Sequence, residues 1–129
     1  MDEERDVKAA PSALGTADLE IWRRRIDGID DQLMRLLNSR SACAVEVGRI
    51  KRAQGLPIYA PEREAWILDR VMRVNTGPLE PLAVRRVFER IIDESRRLER
   101  IAAEDEEEGE RLEHAAEEAL HRNDRDPKS

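Results

Sequence analysis

Between Asp18 and Lys51 one apolar stripe dominates the chain. Leu19, Trp22, Ile26, Ile29, Leu33, Leu36, Leu37, Ala44, Val47 and Ile50 recur at intervals of three and four, the period of a single amphipathic helix. Thr16 or Asp18 can cap its start, and Gly55 with Pro57 ends it. At a rise of ~1.5 Å per residue such a helix is on the order of 50 Å long. A globular domain of this size is only about 30 Å across. The helix therefore projects beyond anything its own chain can pack against, and the simplest cover for its stripe is a second copy of itself.

Two shorter patterns follow. Pro61 suits a first helical position, and Ala65, Leu68, Val71 and Met72 carry a second helix to about Val74. NTGPLEP then turns the chain, and a third helix runs from Pro81 through Leu82, Val87, Phe88, Ile91, Ile92 and Leu98 to about Ile101. Aromatic residues make up only 3% and the apolar share is mostly Leu, Ile, Val and Ala, which disfavours an all-β sandwich. The expected fold class is all-α: a three-helix protomer with one long N-terminal helix, in an intertwined homodimer.

Charge divides the sequence into three. Residues 1–16 hold 2 basic and 4 acidic residues, 17–101 hold 17 and 14, and 102–129 hold 4 and 11. Residues 1–16 read as a disordered acidic leader, 17–101 as the helical domain, and 102–129 as an acidic tail that either extends the last helix or is solvated. The net charge of −6 argues against general nucleic-acid binding, which needs a basic surface. No apolar run approaches the roughly 20 residues of a membrane span, and MDEERDVK has the wrong charge for a signal peptide. A cytoplasmic protein is expected. Cys43 cannot form an intrachain disulfide and reads as a small buried hydrophobe. His114 and His121, seven residues apart in the tail, have no third ligand near them and do not make a metal site.

The functional signal lies in polar residues that interrupt the apolar faces. Arg40 sits within the stripe of the first helix, and Lys51, eleven residues later, returns to within about 20° of the same direction. Ser95 and Glu99 continue the face built by Phe88, Ile91 and Ile92. Arg63 and Glu64 occupy the first turn of the second helix. Inward charges cost several kcal/mol each unless paired or bound to something. A buried ion network that only fixes helix register would account for some of them. The cations Arg40, Lys51 and Arg63, however, outnumber Glu64 and Glu99. Surplus positive charge without phosphate-binding glycines suits a pocket for a small carboxylated anion.

WRRRIDGIDDQLMRLLNSR, AVEVGRIKRAQGLPIYAPERE and VFERIIDESRRLE, in that order and spacing, carry a likeness that covers about two thirds of the chain. Residues 18–101 resemble the all-helical class of chorismate mutases. The resemblance implies an interlocked dimer with two active sites that converts chorismate to prephenate, towards phenylalanine and tyrosine. It places Arg23, Arg40, Lys51, Arg63, Glu64, Ser95 and Glu99 in the site and assigns Arg23 to the opposite subunit. Spacing agrees, because Arg23 and Arg40 are 17 residues apart, roughly 25 Å along one helix, whereas the substrate is one ring with a short side chain.

The implied rearrangement is a single pericyclic step that needs no metal, nucleophile or redox cofactor. In the expected assignment Arg23 and Arg40 take the two carboxylates, with Ser95 assisting at the ring carboxylate. Lys51 and Glu99 take the ether oxygen, Glu64 accepts from the ring hydroxyl, and Arg63 supports the anionic end. Two departures stand out. Glu99 occupies a position where many relatives use Gln, and it can donate only when protonated. Ala60 stands where Asp is frequent, and it can neither cap the second helix nor bind the hydroxyl. Isochorismate-pyruvate lyases share these helices, but Glu64 suits the hydroxyl of chorismate. A non-catalytic regulatory or dimerisation module would explain the stripes without explaining four inward polar residues.

Overall fold

The structure, a computed structural model, describes residues 15–125. They form three helices: α1 Thr16–Gln54, α2 Pro61–Val74 and α3 Pro81–Arg125. No strand occurs among the described residues. The expected leader, 1–16, lies almost wholly outside them. By compactness the chain divides into Met1–Ser39 and Arg40–Ser129.

The start of α1 uses Asp18, one of the two expected capping residues. Gly15 is the capping position, and the Asp18 carboxylate accepts from the Gly15 N–H at 2.9 Å. This is the returning half of a capping box. Its end matches the Gly55 signal. Gly55 has φ of +68°, a left-handed conformation natural to glycine. The N–H groups of Gly55 and Leu56 donate to the carbonyls of Arg52 and Lys51 at 3.3 and 2.8 Å, which closes the helix with a Schellman motif. α2 has Pro61 in its first turn, and Ala60 supplies no side-chain cap. Asn75 ties the following turn, accepting from Gly77 N–H at 3.2 Å and donating to the Leu79 carbonyl at 2.7 Å.

The first unit contributes no buried residue between positions 15 and 39. Leu19, Ile26, Ile29, Leu33 and Leu36 are all about half exposed or more, Leu36 reaching 67%. The second unit holds the core: Ala44 from α1, Leu68 from α2, and Val84, Ile92 and Ala102 from α3. α2 and α3 pack along one another. At Gly48, which is buried, α1 meets α3 backbone to backbone. A Cβ on Gly48 would fall 2.7 Å from the Glu99 Cα and 2.9 Å from its carbonyl carbon.

α3 runs far past Ile101, where its apolar signal fades. Ala, Glu, Leu and Arg dominate the added residues, all strong helix formers. Ion pairs brace this extension: Arg111–Glu108 at 2.5 Å within it, and Arg49–Glu106 at 3.3 Å and Arg52–Glu110 at 2.8 Å from α1. The acidic tail is therefore helical through Arg125.

The close approach gives a first prediction. Gly48→Ala should destabilise by about 1–3 kcal/mol, since the obstructing atoms are backbone and cannot swing aside. Gly109→Ala meets nothing within 4 Å, and should raise helix content through the ~1 kcal/mol propensity gain over glycine. Urea titration followed by circular dichroism reads both.

Candidate active site

A cavity of about 370 Å³ lies within the second unit, among the C-terminal turns of α1, the start of α2 and the middle of α3. The apolar part of its wall includes Ala44, Val47, Ile58, Ile67 and Ile92. Its charged lining is Arg40, Lys51, Arg63, Glu64, Arg96 and Glu99. Helical geometry explains the α1 contribution: Arg40, Cys43, Val47 and Lys51 follow one another at three and four residues and so share a face.

Arg40 donates from Nη1 to the Ser95 hydroxyl. That hydroxyl donates in turn to the Ile91 carbonyl, one turn back on α3, at 3.0 Å. Ser95 has a single proton, so here it orients Arg40 rather than offering a donor of its own. Lys51 Nζ donates to Glu99 Oε1 at 2.7 Å and to the Ile58 carbonyl at 2.8 Å. An ammonium has three donors, which leaves one for a ligand. The Lys51 and Glu99 side chains are only 16% and 14% exposed, so the pair is weakly screened.

Across the cavity, Glu64 receives both arms of a fork. Arg96 Nη2 donates to Oε1 at 2.5 Å and Nε to Oε2 at 3.0 Å. The guanidinium lies 5.2 Å from the centre of the Tyr59 ring, a cation–π distance, and reaches Asp93 at 3.4 Å. The hydrogen bonds it donates to Glu64 raise the Arg96 pKa above the usual guanidinium range, against the lowering effect of burial. A raised pKa means that its stabilisation is present below the ordinary value and lost only in strong alkali. Arg63 sits over Trp66 at 4.8 Å, which holds it in the first turn of α2 beside Glu64.

Six of the seven expected site residues thus line or adjoin one cavity: Arg40, Lys51, Arg63, Glu64, Ser95 and Glu99. Arg23 belongs to Met1–Ser39 and is not in the lining. Ala60 contributes its methyl group to the wall. Cys43 corrects an expectation: it is exposed and lines the cavity instead of lying in the core. The reason is that the Arg40–Lys51 face opens into the cavity, and Ala44 takes the buried place beside it. Arg96 was missed in the sequence. It follows Ile92 by four and adjoins Ser95, which places it near the expected face, but its partner Glu64 is 32 residues away on another helix.

Four cations against two carboxylates leave the lining with two surplus positive charges. No described helix is long and apolar enough to cross a membrane. The sequence matches the family described as chorismate mutase type II over residues 22–100.

The chain belongs to the type II chorismate mutase family.

Solved chorismate mutases share its fold. That of Thermus thermophilus is 32% identical with a TM-score of 0.62, over 63% of this chain and 92% of its own. That of Helicobacter pylori, in complex with prephenate, is 31% identical with a TM-score of 0.61, over 67% and 93%. The bifunctional chorismate mutase/prephenate dehydratase of Pseudomonas aeruginosa is 38% identical over 86 residues, 63% of this chain. The match spans 24% of that longer relative, so the present chain corresponds to about a quarter of it.

The partly buried pair makes a prediction that separates support from function. Lys51→Met leaves Glu99 without its ammonium and should cost about 1–3 kcal/mol of stability. The double variant Lys51→Met, Glu99→Met should recover most of that loss, because no charge is then stranded. Chemical denaturation of the four proteins of the cycle measures the coupling.

Proposed function

We propose that this cavity binds chorismate and rearranges it to prephenate, a step of aromatic amino acid biosynthesis. The observation that carries the reading is the surplus of two positive charges in a small cavity of a chorismate mutase fold, which complements a dicarboxylate. The volume lies within the range of about 300–1,000 Å³ usual for small-molecule sites.

The reaction breaks a C–O bond and forms a C–C bond in one concerted step, so the residues have to position and stabilise. Arg40, aimed by Ser95, takes one carboxylate. Holding the enolpyruvyl group over the ring converts a rare conformer into the bound one and removes much of the entropic barrier. Negative charge develops on the ether oxygen as its bond to the ring breaks. Lys51 has a donor left for that oxygen, already fixed by Glu99 and the Ile58 carbonyl, and so needs no reorganisation at the moment of reaction. Glu99 holds the Lys51 ammonium in place beside that oxygen. Glu64 accepts from the ring hydroxyl, and Arg63 supports the anionic end. No cofactor takes part.

The second carboxylate requires Arg23. In our reading it comes from the other subunit of a cytoplasmic homodimer, in which the exposed stripe from Leu19 to Leu36 is covered by a second copy. Large half-exposed aliphatic side chains in that continuous row support the dimer.

Two outcomes are expected. Purified protein consumes chorismate in a spectrophotometric assay, and Arg40→Ala lowers kcat/KM by about 10²–10³ or more, the cost of removing one preorganised donor. Arg23→Ala and Arg40→Ala are each inactive, yet a refolded equal mixture recovers about one quarter of the wild-type rate. Half of its dimers are mixed, and each of these has one intact site out of two. A wild type inert towards chorismate would refute the activity. Mixtures without recovery would refute the shared site.

A further inference from the structure

The fork between Arg96 and Glu64 has no role in the assignments above. It is among the most constrained polar contacts of the molecule. Both Glu64 oxygens are engaged, at 2.5 and 3.0 Å, and the two side chains are only 21% and 27% exposed. Arg96 is braced from two further directions by Tyr59 and Asp93. A bidentate guanidinium–carboxylate pair is both strong and directional. Its effect on the cavity is to neutralise the carboxylate while leaving oxygen lone pairs that can still accept a hydrogen bond.

The other carboxylate of the lining, Glu99, is neutralised in the same way by Lys51. Ala60, at the start of α2, adds no third one. A group entering near Glu64 therefore meets hydrogen-bond acceptors but no net negative charge, in a cavity that also holds Arg40 and Arg63.

We infer that Arg96 is a specificity-determining residue: by gripping Glu64 it makes this end of the cavity a receptor for a neutral hydroxyl and excludes the same molecule bearing an ammonium group there. The inference rests on the reading of the cavity as the chorismate site, with Glu64 facing the ring hydroxyl. A hydroxyl donates to a carboxylate lone pair whether or not Arg96 is present. An ammonium gains chiefly from the full negative charge, which Arg96 has already taken. It also cancels one charge of a substrate whose two carboxylates would otherwise match the two surplus cations of the lining. Because the Arg96 pKa is raised, the fork does not open through loss of its proton at ordinary pH.

The test compares chorismate with its 4-amino-4-deoxy analogue on the wild type and on R96Q, R96K and E64Q, reading the ratio of kcat/KM for hydroxyl over amine. The wild type should favour the hydroxyl compound. R96Q, which frees the Glu64 charge, should lower the ratio by about tenfold or more. R96K retains the charge and should keep the ratio within about threefold of wild type even where absolute rates fall. E64Q leaves Arg96 uncompensated and should raise the ratio. Equal losses on both compounds in R96Q would overturn the inference, since they would make Arg96 a scaffold alone. If R96Q does not fold, E64Q carries the test, and an unchanged ratio there overturns it. If the wild type turns over neither compound, the activity reading fails. Dissociation constants of the two compounds by calorimetry then decide the inference, and equal affinities for the wild type overturn it.

Discussion

The site depends on how closely α1 and α3 approach at one point. Gly48 is the residue that lets the two backbones meet beside Glu99. Three residues further along α1, Lys51 is then near enough to pair with the side chain of that same Glu99. Just over two turns before Gly48, Arg40 is near enough to reach Ser95, one turn before Glu99 on α3. Two cross-helix contacts thus lie on either side of the point where a missing methyl group lets the backbones meet. Interiors are packed too densely to accommodate an added Cβ without moving the helices apart, so the polar geometry depends on an apolar constraint.

What that constraint positions is a set of charges already committed to one another. Lys51 is fixed by Glu99 and a carbonyl, Arg40 by a hydroxyl, and Arg96 by Glu64, Asp93 and Tyr59. Groups held before a ligand arrives lose little freedom when it binds. Each pair also offsets much of the desolvation cost that isolated charges would carry in a confined space. The two positive charges left over are available to a ligand that brings two negative ones.

Much of this was legible in the sequence because helices advertise themselves by period. The stripe of α1, Pro61 at the start of α2 and Gly55 after α1 each marked an element or its boundary, and Arg40, Lys51, Ser95 and Glu99 stood out by interrupting apolar faces. Other features left no such trace. Gly48 resembles any helical glycine until the neighbouring backbone is known. Arg96 stands in a run of charged residues, and its fork with Glu64 is a tertiary pairing across 32 positions. Cys43 was placed in the core because hydrophobic period locates a face only to within a residue, and here the core took Ala44. The length of α3 was left between two alternatives, extension or solvated tail, because the apolar pattern ends near Ile101 while helix propensity and ion pairs continue without it.

Just beyond the cavity, α3 is secured to α1 by contacts of a different kind. Arg49–Glu106 and Arg52–Glu110 lie in the open, where dissolved ions weaken attraction between charges, while Lys51–Glu99 is sheltered from them. Ionic strength therefore acts unequally on neighbouring stretches of the same helix. Concentrated electrolyte weakens the exposed pairs and leaves the sheltered pair beside the cavity nearly untouched, so the two stretches of helix answer to different conditions.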